Sequence, residues 1–231
     1  MYRLLRMPPS QCLFYTMAII GGFYGGFAIA NFNVLGSAET TNMIRLVMSC
    51  LGGDLRQTFL CFVAAIIYGL AIVCSKLCTD RIKRHTHLVS VLINFVTTLW
   101  LCFAPEGLNY VLILYPMFFA CAFQWNSFPG AKGFASSSIF STNNYRQAIL
   151  GLVDYLSDRE NKGALEKSRF YFGTLLWFHV GAAAAFLSVK YLGQKGAAIN
   201  LAFIVFALAQ TVYEYRYADD PQKEMDILIK Q

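Results

Sequence analysis

Six long apolar blocks, at 12–32, 55–77, 88–103, 108–128, 170–189 and 197–213, constrain this chain more than any other feature. A helix needs about 20 apolar residues to cross a hydrocarbon layer ~30 Å thick. Inside that layer every backbone N–H and C=O must be bonded within the protein, which makes helices the solution for blocks of this length. Charged residues make up only 14% of the chain, against roughly 25% in a soluble domain. The expectation is an all-α integral membrane protein with six transmembrane helices. It forms one polytopic domain over 1–216, followed by a polar tail at 217–231 in which Asp219 or Asp220 caps a short helix with Pro221 in its first turn. Arg3, Arg6 and Ala28-Ile29-Ala30 imitate a signal peptide. The first apolar block is already as long as a span, so it is read as one.

The basic residues orient the spans. With the N-terminus in the cytoplasm, only Arg45, Arg56, Lys190 and Lys195 fall outside, and the other fifteen of the nineteen Lys and Arg fall inside. The positive-inside rule therefore puts both termini in the cytoplasm. The net charge of +6 follows from this bias and carries no nucleic-acid inference. The cluster Lys76, Arg81, Lys83 and Arg84 suits anionic lipid headgroups.

The two halves resemble each other. The first block is followed by Thr40-Thr41-Asn42 and an amphipathic stretch, and the fourth by Thr142-Asn143-Asn144 and a similar stretch. An offset of 101 pairs Thr41-Asn42 with Thr142-Asn143 and Arg45 with Arg146, while an offset of 102 pairs Thr40 with Thr142 and Asn42 with Asn144. Asn31 answers Asn126, and Ile93-Asn94 answers Ile199-Asn200. The repeat unit, at about 12–104 and again at 108–214, is three spans plus one short segment. Three is odd, so the second copy enters the membrane from the opposite side, as in the inverted repeats of many transporters. The short segments, 37–51 and 138–153, are either re-entrant half-helices or amphipathic helices at the interface.

These residues carry a family likeness. The Gly-rich first span (Gly21-Gly22-Phe23-Tyr24-Gly25-Gly26), the two Thr/Asn elements and Gln124-Trp125-Asn126 resemble the YoaK-like family, bacterial multi-pass membrane proteins whose function is not established. The resemblance runs through nearly the whole chain and implies a bacterial inner-membrane location. The family's central glycine is replaced by Thr41 and by Asn143; if that glycine occupies a left-handed turn, β-branched Thr41 requires a different turn. Asp80-Arg81-Ile82-Lys83-Arg84 is also similar to the Asp-Arg-x-Gly-Arg-Arg loop of major facilitator transporters, with Lys83 in place of the glycine. Six spans would be half of such a protein.

Polar groups inside spans are costly, so they are candidates for function. Thr40, Thr41, Asn42, Thr142, Asn143, Asn144, Gln124, Asn126 and Asn31 are the candidate substrate-binding residues, with the two triplets expected to approach one site from opposite sides of the membrane. Asn94 and Asn200 are candidate interhelical polar residues, and Gln210 belongs with the same set. His179, an imidazole in a span otherwise free of charge, is either a proton relay or a neutral side chain bonded to its surroundings. Glu39 and Asp154 lie near the repeat motifs, and Glu214 closes the last span. Gly21, Gly22, Gly25 and Gly26 suit close helix packing.

No catalytic signature is present: no HExxH, Walker A loop, GxSxG or paired intramembrane aspartates, and the serine run 136–138 has no evident base. The seven cysteines lie mostly in apolar blocks and suggest packing rather than metal or disulfide chemistry. No cofactor is called for. The partners implied are the bilayer and an unidentified small solute, with a homo-oligomer left open. Two readings follow: a small-solute permease or secondary transporter, and a non-transporting scaffold or assembly factor. The topology is directly testable. In a Cys-free background, Lys83→Cys and Lys223→Cys should react with an impermeant maleimide only in inverted vesicles, and strong labelling in right-side-out vesicles would refute the orientation.

Overall fold

A computed structural model of the protein describes residues 8–35, 39–83 and 85–218. Each expected block is a helix. In chain order they are α1 (Pro9–Phe32), the short α2 (Glu39–Leu51), α3 (Leu55–Ile82), α4 (His85–Phe103), α5 (Tyr110–Ser127), the short α6 (Thr142–Ser157), α7 (Lys162–Leu192) and α8 (Ile199–Ala218). A 3-10 turn, Gly193–Ala198, joins the last two. The order long, short, long, long therefore occurs twice. Between α5 and α6 a two-stranded hairpin, β1 (Gly130–Ala131) and β2 (Phe134–Ala135), turns through Lys132 and Gly133, both at positive φ, as a two-residue hairpin demands. The tail at 219–231 lies outside the described residues.

Local chemistry sets the helix ends. Pro9 at the first position of α1 gives up an N–H that would be unpaired anyway. Asn33 closes the same helix in the left-handed conformation, with φ 53°. The side chains of Asp54, Asn109 and Asn161 accept the first free N–H groups of α3, α5 and α7, from Gln57, Val111 and Ala164. Lys83, which stands where the facilitator-like loop has glycine, sits at φ 45°. Thr41 and Asn143 lie within α2 and α6. The positions of the family glycine therefore require no left-handed turn.

Four stretches are long and apolar enough to cross a membrane: Pro9–Phe32, Leu55–Ile82, His85–Phe103 and Lys162–Tyr215, the last holding both α7 and α8. The chain thus has the helices of a membrane protein. Helix α5, with 18 residues, an internal Pro116 and the polar end Gln124-Trp125-Asn126, is not among the four.

Helix α1 is the centre of the molecule. Protein buries 83% of its most apolar window, against 28% for α3. It packs chiefly on α7 and also on α8. Helix α5 packs on α3 and α4, α2 on α3, α6 on α7, and α4 crosses α8. Exchanging α1–α4 for α5–α8 maps this set of pairings onto itself. Two long-range hydrogen bonds follow the same exchange: Tyr15 on α1 donates to the Phe170 carbonyl on α7 (3.2 Å), and Tyr115 on α5 donates to the Leu60 carbonyl on α3 (2.9 Å).

The α1–α7 crossing depends on glycine. A Cβ on Gly22 would strike the Phe178 carbonyl, one on Gly181 the Ile19 carbonyl, and one on Gly26 would lie 2.8 Å from the Ala182 oxygen. Gly22 and Gly26 form a small-xxx-small face against Gly181 and Ala185, which lets the two backbones touch. The short helices differ from the long ones. Met43, Ile44, Val47, Met48 and Leu51 on α2, and Tyr145, Ile149, Leu150, Val153 and Leu156 on α6, form exposed apolar stripes. Gly22→Ala should destabilise the protein by about 1–3 kcal/mol. Gly69→Ala, with open space around its Cβ, should be neutral or slightly stabilising. Unfolding in mixed micelles would check this contrast; equal effects would remove the close crossing as a determinant of stability.

Candidate functional site

The interior holds one connected polar network where α1, α4, α5 and α8 meet. Asn200 Nδ2 on α8 lies 3.3 Å from Thr98 Oγ1 on α4, and Thr98 Oγ1 lies 3.0 Å from the Tyr24 hydroxyl on α1. Tyr24 donates to the Asn94 carbonyl at 2.9 Å. These directions form a single donor chain from the Asn200 amide through the Thr98 and Tyr24 hydroxyls to Asn94. Asn94 Nδ2 donates in turn to the Ser90 carbonyl and to Gln124 Oε1 on α5 (2.9 and 3.1 Å). Gln124 Nε2 donates to the Met17 carbonyl of α1 and to Ser138 Oγ, both at 2.9 Å. Tyr24, Asn94, Thr98, Gln124, Ser138 and Asn200 are each 0% exposed. In low dielectric such linked bonds strengthen one another, and an unpaired member is expensive.

Helix geometry explains the assembly. Thr86, Ser90, Asn94 and Thr98 recur every fourth residue, so they lie along one face of α4. That helix crosses α8, which carries Asn200, Gln210 and Glu214. Tyr24 reaches the network because the glycine crossing draws α1 into the centre. Ser138 reaches it because the non-helical stretch 136–139 is buried against α1, with the Ser138 carbonyl beside Gly21. Irregular backbone at that depth is tolerated where protein encloses it.

The row of polar groups on α4 and α8 is only partly paired. Among the described residues, nine buried side-chain N or O atoms have no hydrogen-bond partner, and seven are on these two helices. They are Thr86 Oγ1, Ser90 Oγ, Asn94 Oδ1, Asn200 Oδ1, both amide atoms of Gln210, and Glu214 Oε1. Each such group costs roughly 1–3 kcal/mol. The other carboxylate oxygen of Glu214 lies 3.8 Å from His87 Nδ1 at one end of the row, and His87 stacks on Phe128.

The remaining sequence candidates are dispersed. Asn42 is buried and donates to Glu39 Oε1 and to the Cys61 carbonyl of α3 (both 2.9 Å). Asn144 is buried and donates to the Ser137 and Phe140 carbonyls (2.7 and 2.9 Å), while accepting from Ser136 Oγ. The pair buried alike is thus the one at offset 102. Thr41 and Asn42 line a cavity of about 20 Å³ with Arg45, Cys61 and Tyr110. That is room for about one water molecule, and no residue of the second triplet lines it. Thr40, Thr142 and Asn143 are exposed. The two triplets therefore serve separate neighbourhoods, because α2 packs on α3 and α6 on α7. Burial raises the Glu39 carboxyl above its ordinary pKa, with the Asn42 hydrogen bond opposing.

Asn31 and Asn126 donate to carbonyls of their own helices, Phe27 and Ala122 (3.0 and 2.9 Å). His179 is exposed on the outside of α7, its Nδ1 2.7 Å from the Leu175 carbonyl, so the structure sets it apart from the polar interior. Tyr24, Ser90, Thr98 and Ser138 were not among the sequence candidates. The four-residue spacing of Thr86, Ser90, Asn94 and Thr98 is the signal that marks Ser90 and Thr98.

A family model described as "Protein of unknown function (DUF1275)" matches residues 13–211. The chain belongs to this family. No curated protein and no solved structure matches. The matched region spans the whole polar network of this family member, from Met17 and Tyr24 to Asn200. The network predicts a graded stability response. Gln124→Leu removes one partner of the Asn94 amide and the partner of Ser138, and should cost about 2 kcal/mol or more, whereas Asn126→Ala should stay within about 0.5 kcal/mol of the parent. Unfolding midpoints in detergent would decide; equal costs would show that Gln124 has no central part.

Proposed function

We propose that this protein is a permease or secondary transporter of a small solute. It would have six spans built as two three-helix units of opposite orientation, in the bacterial inner membrane with both termini cytoplasmic. The observation that carries the reading is the buried polar network drawn from both halves, Tyr24, Asn94 and Thr98 from one and Gln124, Ser138 and Asn200 from the other, with the unpaired amide of Gln210 beside it on α8. A packing scaffold has no use for unpaired polar atoms in its interior. A transporter places polar groups at the interface of its repeats, near the midplane. The repeat itself is supported by the self-mapping set of helix pairings and by the matched bonds of Tyr15 and Tyr115. The orientation rests on the distribution of Lys and Arg. The outward apolar stripes of α2 and α6 favour helices lying at the two interfaces over re-entrant ones.

The second reading, a non-transporting scaffold, draws on the close α1–α7 crossing and on the small size of the cavity beside Thr41. The two readings differ in motion. Spin-label pairs at Lys76→Cys with Lys162→Cys, and at Arg56→Cys with Lys190→Cys, probe the two ends of α3 and α7. A transporter should show two distance populations at each end, weighted oppositely between the pairs. One narrow distance at both ends would sink transport and leave the scaffold.

A further inference from the structure

We infer that the α4–α8 seam is the solute-binding path, and that its ligand is a small uncharged molecule rich in hydrogen-bonding groups, of the polyol or amide class. This rests on the transport reading above. The seam is a row of buried polar side chains, Thr86, Ser90, Asn94, Asn200 and Gln210, each at most 3% exposed and each holding at least one atom without a partner among the described residues.

Ordinary helix chemistry does not account for those atoms. A Ser or Thr hydroxyl in a helix commonly folds back onto a carbonyl three or four residues earlier. Ser75, Ser127, Ser188, Thr174 and Thr211 do this. Ser90, on the seam, does not. Interhelical glue would be paired, as Tyr24 is with Thr98. Gln210 is 3% exposed, yet among the described residues neither its Oε1 nor its Nε2 has a partner. The row thus offers free acceptors at Asn94, Asn200 and Gln210, a free donor at Gln210, and hydroxyls at Thr86 and Ser90 that do both. Its complement is a molecule bearing donors and acceptors together.

The seam also selects against charge. No Asp, Glu, Lys, Arg or His occurs at 88–103 on α4 or at 199–213 on α8. An ion there would lack a counter-charge in low dielectric, which is prohibitive for a full charge and tolerable for a hydroxyl or amide. His87 and Glu214 mark one end only. At the other end Gln194 Nε2 donates to the Ala104 carbonyl at 2.8 Å and ties the 3-10 turn to the end of α4.

The test is stopped-flow light scattering of liposomes holding the purified full chain, challenged with glycerol or urea, with potassium chloride as the charged control. Glycerol or urea should enter several times faster than into protein-free liposomes, and potassium chloride should not. Ser90→Ala and Gln210→Leu should each slow the solute roughly tenfold, while Gly69→Ala keeps the parent rate. Ser90→Ala adds no volume, so it stands where Gln210→Leu fails to fold. Parent rates in both variants overturn the seam as the path, and faster potassium chloride entry overturns the uncharged class. Two spin-label distance populations without glycerol or urea entry overturn the solute class and leave the transport reading intact. Single distances without entry remove both.

Discussion

A helix enclosed by protein inside an apolar bundle gains little from solvent exclusion, because lipid tails are as apolar as its own side chains. It is held by close contact and by hydrogen bonds. Helix α1 is in that position, and the glycines facing α7 supply the contact: backbone meets backbone at Gly22 with Phe178 and at Gly181 with Ile19. The rest of the interior depends on that crossing. It puts Tyr24 within reach of Asn94 and Thr98, and it presents the Met17 carbonyl to Gln124. It also lets the buried stretch around Ser138 lie against Gly21. A side chain at any of these glycines would separate the helices and break the network it was never part of.

The interior is divided between satisfied and unsatisfied polar groups, and the division follows the helices. Around α1 and α5 the polar atoms are paired: Gln124 uses its amide nitrogen twice and its oxygen once, and Tyr24 acts in both directions. Along α4 and α8 they are paired only in part. The paired part works as a rigid frame. The unpaired part has hydrogen-bonding capacity in reserve, in the place where the two halves of the chain meet. A protein that only needed to pack would do better with leucine at Gln210, since a half-satisfied polar group is worse than an apolar one.

The outer parts of the molecule follow simpler rules. Large apolar side chains such as Phe59, Leu70 and Val96 face outward from α3 and α4, which suits lipid. The two short helices combine a buried asparagine, Asn42 or Asn144, with an outward apolar stripe. Each asparagine ties its helix to its surroundings, Asn42 through Glu39 Oε1 and the Cys61 carbonyl, Asn144 through the Ser137 and Phe140 carbonyls. The amide donors of both are engaged within their own neighbourhoods.

The sequence alone determined the all-helical class, the position of every long helix and the existence of the short ones, because transfer of each residue between water and hydrocarbon is a local quantity that sums along a segment. It also contained the four-residue polar stripe on α4, which emerges once spacing is weighed against a helix surface. It could not disclose which polar group meets which. Asn94 and Gln124 are 30 residues apart, Asn200 and Thr98 are 102, and Gln124 and Met17 are 107. Those meetings depend on how closely helices cross, and on the fact that α1 pairs with α7 rather than with its neighbours in the chain. For the same reason Asn31, Asn126 and His179 looked equivalent to Asn94 as polar residues in apolar blocks. Only the tertiary structure turned Asn94 inward and left His179 outside, because the inward face of a helix is set by its partners.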